Sequence, residues 1–283
     1  MGMDGKTVMT VEDFRLIKEF VAENFGLLVE NGKEGYLSSR LLSRLEALRL
    51  SSFAEYYAYL KFAPGGTEER LQLVSRITNN ETYFFREEIQ LRAFAEVALP
   101  ALKERKVRNG EREIRILSAG CSSGEEAYTL AMLVLESGCF AWDWDVKITG
   151  VDIDPKVIER AKDGTYSGRA FQSLPALYLD RYFRKCENGF RVKDSIRSMC
   201  SFAQGNLLDL DGIVSEAGVD IIFCRNVLIY FDDGTVKRIV ENFARFLPDD
   251  GLLFLGHSES LSRITSRYIP IRFPGAIVYR VRG

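Results

Sequence analysis

The residues best suited by type and spacing to bind a ligand lie in a glycine-containing turn, LSAGCSSGEE, at positions 117–126. A short apolar strand is predicted before the turn and a helix after it, so backbone N–H groups at the helix start can face a ligand. The small residues Ala119 and Gly120 let a ligand approach the backbone closely, although a tight turn without a ligand would also use them. Ala127 stands where G-x-G-x-x-G needs its third glycine, and the Lys-Ser/Thr pair of a P-loop is missing. The pattern therefore disfavours a bound pyrophosphate.

Carboxylates follow both of the first two predicted strands. Glu125 and Glu126 lie in the first helical turn, where acidic residues also stabilise the helix dipole. A carboxylate that faced the ligand would repel a phosphate and attract an ammonium group, which favours a ligand with an amino-acid end, such as S-adenosylmethionine. Asp152, at the end of the second strand, has the position of an acidic residue that binds ribose hydroxyls. Asp154 is expected to cap the helix that Pro155 begins.

Two further segments place hydrogen-bonding groups near the same predicted edge. TNNETYFFR concentrates Asn80, Thr82 and Arg86 beside aromatic residues, between the two halves of the chain. Such a concentration suits a ligand cleft, and a helix cap with an aromatic plug is the alternative. CRNVLIYFD follows a buried strand, where Asn226 is placed to bind an adenine or a substrate backbone. Tyr230 either packs in the core or reaches into the pocket.

The sequence GCSSG also fits G-x-S-x-G, the nucleophile elbow of α/β-hydrolases, with Ser122 as the nucleophile and His257 downstream. That fold needs several strands before the elbow, whereas the upstream residues have helical patterns. No oxyanion segment resembling HGGG is present. A serine esterase is therefore an alternative, and His257 is expected to pack as a structural residue at a strand end.

The elements that must position these residues fall into two halves. Residues 10–78 repeat apolar side chains at helical spacing, with a break at residues 64–66. From about residue 113 strands alternate with helices, which predicts an α/β fold with a parallel sheet, helices on both faces and ligands at the carboxyl ends of the strands. The pair Asn188 and Gly189 predicts a hairpin within a small antiparallel β excursion.

Composition argues against several classes of protein. The 283 residues carry 38 Lys and Arg against 40 Asp and Glu, a net charge of -2 that disfavours a dedicated nucleic-acid binder. Five cysteines without a C-x-x-C pair, and one histidine, predict reduced thiols and disfavour a metal site. No apolar run nears the ~18 residues that span a bilayer, and the first residues lack a signal-peptide pattern. We expect a cytoplasmic, metal-free monomer that neither binds nucleic acid nor inserts into a membrane.

Five segments together resemble the chemotaxis receptor methyltransferases, the CheR family, which methylate glutamates on chemoreceptors with S-adenosylmethionine. The segments are TNNETYFFRE, LSAGCSSGEEAYTLAM, GVDIDPKVIERAKDGTY, CRNVLIYFD and GLLFLGHSESL. The resemblance implies an all-helical receptor-docking domain over residues 1–78 and a linker over 79–90 that lines the cofactor cleft. It also implies a Rossmann-like methyltransferase domain over 91–283, with a small antiparallel β-subdomain insertion at about 184–204.

The resemblance further implies roles for single residues. Arg86 and Tyr230 would be catalytic, Glu126 would bind the methionine ammonium group, and Asp152 would bind the ribose. The cofactor-binding set would comprise Asn80, Thr82, Arg86, Ala119, Gly120, Glu126, Asp152, Asn206, Leu207, Arg225 and Asn226.

The implied partner is the cytoplasmic helical domain of a chemoreceptor. Arg40, Arg44 and Arg49 would dock on it, although a solvated helix face also explains these charges. Some relatives bind a pentapeptide tether at the receptor's C-terminus through a loop of the β-subdomain. Here the corresponding loop, residues 185–190, is too short for this, so we expect the protein to act without the tether. A non-catalytic signalling protein that binds an adenosyl ligand is the other alternative.

Overall fold

The computed structural model describes residues 8–215 and 218–282. The chain divides into two compact units, one formed by Met1–Asn79 with Tyr230–Asp232 and the other by the remaining residues. The first unit confirms the predicted all-helical N-terminal domain. Residues 80–90 of the predicted linker belong to the second unit.

The helical unit consists of helices whose apolar positions recur every three or four residues. Ile17, Leu41 and Tyr56, on three different helices, are each 0% exposed. The left-handed conformation of Gly26 (φ 74°) ends the first helix. The helices are α1 (Val11–Phe25), α2 (Glu34–Leu48), α3 (Phe53–Phe62) and α4 (Gly66–Ile77).

A short segment from the second half of the chain groups with these helices. Phe231 forms an isolated β-bridge with Leu27. The backbone N–H of Leu28 donates to the carbonyl of Tyr230 at 2.8 Å. Tyr230 itself ends a 3-10 helix, Leu228–Tyr230, so its backbone is held by the helical unit. Its predicted catalytic role stays a prediction.

The second unit is built on a seven-stranded sheet with the order β6-β2-β1-β7-β8-β10-β9. The first five strands in this order are parallel to one another, and β10 runs antiparallel to both of its neighbours, β8 and β9. The sheet is therefore mixed, with the predicted parallel strands extended at one side by β10 and β9. The strands are β1 (Glu113–Ala119), β2 (Asp145–Asp152), β3 (Thr165–Tyr166), β4 (Phe183–Cys186), β5 (Gly189–Val192), β6 (Cys200–Gln204), β7 (Ile221–Cys224), β8 (Leu252–Leu255), β9 (Tyr268–Phe273) and β10 (Ala276–Val281).

Helices connect these strands, as the alternating pattern predicted. A π-helical stretch, Phe94–Ala98, joins the first two helices of this unit, which precede β1. Pro155 occupies the first turn of its helix, and the Asp154 carboxylate caps that helix by accepting from the N–H of Lys156 at 2.9 Å, which confirms the predicted cap. The helices are α5 (Glu88–Ala93), α6 (Leu99–Arg108), α7 (Glu125–Glu136), α8 (Pro155–Asp163), α9 (Ala176–Tyr182), α10 (Asp194–Arg197) and α11 (Asp233–Phe246).

The small antiparallel sheet that we predicted is present, with the order β3-β5-β4. Its bounds differ from the expected 184–204. Strand β6 belongs to the large sheet, because it pairs in parallel with β2 from Ile148 to Asp152. Strand β3 has only two residues, too few to show an alternating pattern. The buried ring of Phe84 packs edge-on against Tyr166 and Phe183, which ties the small sheet to the segment before α5.

The strand order places several loops at one edge of the large sheet. β1 lies between β2 and β7, and the chain progresses outward from β1 on one side and from β7 on the other. The loops after β1 and β7 therefore meet at a topological switch point, where sheets of this kind bind ligands. The loops after β2, β6 and β8 lie along the same edge. Over the described ranges, 8–215 and 218–282, no helix has the length and apolar character needed to cross a bilayer.

Candidate active site

The turn after β1 approaches the loop after β7 closely. Ala119, fully buried, ends β1, and Gly120 follows with φ 73°. A Cβ atom at Gly120 would lie 2.4 Å from a methyl carbon of Val227. The N–H of Gly120 donates to the carbonyl of Val151 at 2.8 Å, which holds the turn against the end of β2. Glycine is therefore required both for the backbone angle and for the close approach.

Glu126 faces the switch point between β1 and β7. Its carboxylate accepts from the hydroxyl of Ser118 at 2.8 Å and lies 3.1 Å from a guanidinium nitrogen of Arg225. Burial raises the pKa of Glu126, although Arg225 and Ser118 act in the opposite direction. Arg225 also lies 3.4 Å from Glu87, so its single positive charge is shared between two carboxylates.

Glu125 has a different environment, although it is the adjacent residue. It is 2% exposed, and both of its carboxylate oxygens accept from the hydroxyl of Ser123, at 2.8 and 3.1 Å. Burial raises the pKa of Glu125 as well. Only Glu126 of this pair reaches Arg225, so the two adjacent carboxylates have different partners.

Asp152 ends β2 and is 7% exposed. One oxygen accepts from the N–H of Ser122 at 2.8 Å and the other from the N–H of Asp154 at 3.0 Å. Burial raises the pKa of Asp152 to about 6. The side-chain amide of Asn80 donates to Asp154 at 2.9 Å, so Asn80 and Asp152 lie in one hydrogen-bonded group at the end of β2.

Asn206 and Leu207 follow β6 next to this group. The N–H of Gly205 donates to the carbonyl of Asp152 at 2.9 Å, which sets the start of their loop. The side-chain oxygen of Asn206 accepts from the N–H of Leu208, and the carbonyl of buried Leu207 accepts from Asn242. Both predicted residues therefore lie at the ligand edge, beside Asp152.

Arg86 lies in the segment before α5 and is half-buried, as is Thr82. Its guanidinium donates to the carbonyl of Glu81 at 2.8 Å and lies 5.8 Å from the ring centre of Tyr83. In the part of the chain that the structure describes, Arg86 forms no ion pair, which leaves its charge available for a carboxylate. Its own carbonyl accepts from Arg225, so Arg86 is tied to the switch point through its backbone.

Glu87 is a site residue that the sequence analysis did not single out. It adopts a left-handed conformation (φ 58°) at the start of α5. Its carboxylate accepts from the side-chain amide of Asn226 at 3.0 Å, lies 2.8 Å from Nδ1 of His257, and lies 3.4 Å from Arg225. Burial would raise the pKa of Glu87, but His257, Asn226 and Arg225 together lower it. In the sequence, only its position inside the segment TNNETYFFRE indicates that Glu87 belongs to the site.

Glu259 is a second residue of this kind, inside the segment GLLFLGHSESL. Its carboxylate accepts from four backbone N–H groups, at 2.6 to 2.9 Å. Three of the donors belong to the loop after β7 and one to the loop after β8. Glu259 therefore joins these two loops and holds Asn226 in its left-handed conformation (φ 59°). The donors are Asn226, Val227, Leu228 and Gly256.

The residues of the esterase alternative do not form a triad. The hydroxyl of Ser122 donates to the carbonyl of Asn80 at 3.1 Å, and His257 pairs with Glu87 instead. The side chain of His257 is 76% exposed, so the expectation that it packs as a structural residue is wrong. No group of three or more His, Cys, Asp or Glu within residues 8–215 and 218–282 is arranged to hold a metal ion.

The three arginines expected to dock on a receptor have different environments. Arg44 pairs with the buried carboxylate of Glu69 through two nitrogens, at 2.9 and 2.5 Å. Arg40 donates to the carbonyl of Arg76 at 3.0 Å. Arg49 is exposed at the end of α2. Arg44 is thus engaged inside the helical unit, and docking by these residues stays a prediction.

Comparison with known families covers both units of the chain. Residues 12–78 match the model of the CheR methyltransferase all-alpha domain, and residues 80–275 match that of the CheR methyltransferase SAM binding domain. The chain belongs to the CheR methyltransferase family. The resemblance found in the five sequence segments is confirmed, as is the fold class.

Relatives in this family match over most of their own length. Chemotaxis protein methyltransferase 2 of Vibrio cholerae is 39% identical over 267 residues, which cover 94% of this chain and 91% of the relative. The chemotaxis protein methyltransferase of Borreliella burgdorferi is 36% identical, with 87% of each chain covered. That of Escherichia coli is 32% identical, over 94% of this chain and 90% of the relative.

Proposed function

We propose that this protein transfers the methyl group of S-adenosylmethionine to the γ-carboxylate of glutamates on chemoreceptors, with glutamate methyl esters and S-adenosylhomocysteine as products. The observation that carries the proposal is the meeting of Glu126, Arg225 and Asp152 at the carboxyl edge of the sheet, in a chain of the CheR methyltransferase family. The relatives are named chemotaxis protein methyltransferases, which supports an acceptor in the chemotaxis system. The enzyme would act in the cytoplasm, on the helical domain of the receptor.

The groups at this edge fit the cofactor. Glu126 shares the charge of Arg225 with Glu87 and suits the methionine ammonium group. Asp152 at the end of β2 suits the ribose hydroxyls. Nε of Arg225 and Oδ1 of Asn226 are buried without a hydrogen-bond partner in the described part of the chain. Unpaired buried polar atoms are rare in folded proteins, and a bound ligand would supply partners for these two.

The acceptor needs orientation rather than a general base. When bound, S-adenosylmethionine supplies a methyl group activated by the positive sulfonium. A solvated glutamate has a pKa near ~4.3, so the attacking carboxylate is already ionised at neutral pH. Arg86 and Tyr230 would position this carboxylate and exclude part of its water. An overly tight pair with Arg86 would stabilise the bound substrate and slow the transfer.

The test is transfer of labelled methyl groups to the cytoplasmic domain of a chemoreceptor. Arg86→Ala should lower kcat at least ~100-fold, equal to ~2.7 kcal/mol of transition-state stabilisation, and Tyr230→Phe should lower it less. A near-normal rate for Arg86→Ala would overturn its assignment. A wild-type protein that binds S-adenosylhomocysteine but labels no receptor would favour the non-catalytic signalling alternative.

We also propose that the enzyme acts without a receptor tether. The β4–β5 hairpin turns over residues 187–188 alone, so it offers no extended loop. A Cβ atom at Gly189 (φ 131°) would lie 2.2 Å from the carbonyl oxygen of Tyr166, so strand β3 already covers this glycine. Calorimetric titration with a receptor C-terminal pentapeptide should show no binding, and micromolar affinity would contradict the proposal.

A further inference from the structure

Arg225 is shared between two carboxylates that come from different elements. Its Nη1 lies 3.1 Å from Glu126 at the start of α7, and its Nη2 lies 3.4 Å from Glu87 at the start of α5. The guanidinium is 3% exposed and each carboxylate side chain is 15% exposed. When both carboxylates are ionised, this shared-arginine cluster of Glu87, Glu126 and Arg225 carries a net charge of minus one.

The other charged groups nearby do not balance this cluster. The exposed imidazole of His257 contacts Glu87 and is positive only when protonated. The carboxylate of Glu259 is bound by backbone N–H groups. The guanidinium of Arg86 donates to the carbonyl of Glu81 and, in the described part of the chain, forms no ion pair with Glu87 or Glu126. The cluster therefore lacks one positive charge, among the groups that the structure describes.

Within the described residues, fewer hydrogen-bond donors surround the carboxylate of Glu126 than that of Glu87. Glu87 accepts hydrogen bonds from Asn226 and His257 in addition to its contact with Arg225, and its pKa is lowered against the effect of burial. The pKa of Glu126 is raised by burial, and the negative charge of Glu87 adds to that effect. Arg225 contacts both carboxylates, at 3.1 Å from Glu126 and 3.4 Å from Glu87, so neither has its charge alone.

We propose that Glu87 is a positioning residue that makes the site selective for ligands with an ammonium group. By sharing Arg225 and holding Asn226, Glu87 leaves Glu126 with the capacity to bind one further cation. This inference rests on the proposed function, in which Glu126 binds the methionine ammonium group. A ligand with that group brings the cluster to neutrality, whereas a ligand without it gains nothing from the charge of Glu87.

The test compares two ligands that share the adenosyl thioether and differ in the amino-acid end. S-adenosylhomocysteine has the ammonium group, and 5′-methylthioadenosine lacks the amino-acid end. Glu87→Gln keeps the size of the side chain and an acceptor for Asn226 but removes the charge. By titration calorimetry at pH 8, where histidine side chains are largely neutral, the Kd of S-adenosylhomocysteine should rise about tenfold, ~1.4 kcal/mol. The Kd of 5′-methylthioadenosine should change by less than about twofold.

The matched control is Glu88→Gln, which removes an exposed carboxylate one residue further along and should change neither Kd. Unchanged affinity of Glu87→Gln for S-adenosylhomocysteine would overturn the inference. Equal weakening of both ligands would overturn it too, because it would show that Glu87 only supports the fold. If Glu87→Gln does not fold, Glu87→Asp, which keeps the charge, must retain the wild-type ratio of the two Kd values. A wild-type protein that binds neither ligand would overturn the proposed function itself.

Discussion

Glu69 in the helical unit and Glu126 at the sheet edge are both buried carboxylates that face an arginine, but they differ in how completely they are paired. Glu69 is 3% exposed and binds two nitrogens of Arg44, at 2.9 and 2.5 Å. The hydroxyl of Tyr56 donates to it at 2.8 Å. Burial raises the pKa of Tyr56, and the charge of Glu69 adds to the shift, so the phenol remains a donor. Glu69 thus has a dedicated arginine and a neutral donor.

Glu126 contacts an arginine that also contacts a second carboxylate. Arg225 also contacts Glu87, and the remaining partner of Glu126 is the hydroxyl of Ser118. A buried carboxylate with a dedicated guanidinium stabilises the fold, and its loss exposes an unpaired charge to a low dielectric. A buried carboxylate short of positive charge retains the capacity to bind a cationic ligand. Two similar ion pairs therefore indicate structure in one unit and function in the other.

The largest effect should come from breaking the Glu69 pair. Arg44→Ala leaves the carboxylate of Glu69 buried without its guanidinium, which should lower the free energy of unfolding by about 3–5 kcal/mol. Urea denaturation measures this loss. The affinity for S-adenosylhomocysteine of the folded variant should be unchanged, and a loss below about 1 kcal/mol would contradict the structural role of the pair.

A smaller effect, on binding instead of stability, should follow from changing Glu126. Glu126→Gln removes the charge that we propose binds the ammonium group, so the Kd of S-adenosylhomocysteine should rise about 30-fold, ~2 kcal/mol. Because Glu87 still pairs with Arg225, the free energy of unfolding should change by less than about 1 kcal/mol. Glu125→Gln, at the adjacent packed position, is the control and should leave the Kd nearly unchanged. A large loss of stability in Glu126→Gln would remove the distinction between the two ion pairs.

The smallest effect should be a pH dependence of ligand affinity caused by Asp152, a third buried carboxylate, at the end of β2. Its pKa is raised to about 6, and the ionised carboxylate is the better acceptor for ribose hydroxyls. The affinity for S-adenosylhomocysteine should therefore fall as the pH drops below about 6, by at most about tenfold per pH unit. Calorimetry between pH 5 and 8 measures this slope, and Asp152→Asn should remove it. A slope that persists in Asp152→Asn would assign the titration to another group.

The raised pKa of Asp152 affects the stability of the fold in the opposite direction to its effect on ligand affinity. The folded pKa of Asp152 lies above the ordinary value of 3.8, so the folded protein binds this proton more tightly than the unfolded chain does. The contribution to stability is complete below about pH 4 and is lost as the pH rises through about 6. Asp152 thus favours folding at low pH and ligand binding at higher pH.

Local patterns determined much of the architecture. Helical spacing around Ile17 and Leu41 predicted the helices of the first unit, and Asp154 with Pro155 predicted the start of α8. The turn at Gly120 was predicted from its small residues. These features depend on interactions within a few residues along the chain, which residue types and their spacing express directly.

Only the tertiary structure decided which charges are paired. Residue type and spacing do not distinguish Glu125 from Glu126, and Arg44 has the pattern of a solvated helix face, yet the fold gives each a different partner. Glu87 and Asn226 are 139 residues apart and meet because the loop after β7 approaches the start of α5. The sequence by itself determined the helices, the turns and the family motifs, since these follow from local geometry. The balance of charge at the cofactor site depends on strand order and burial, which no local pattern contains.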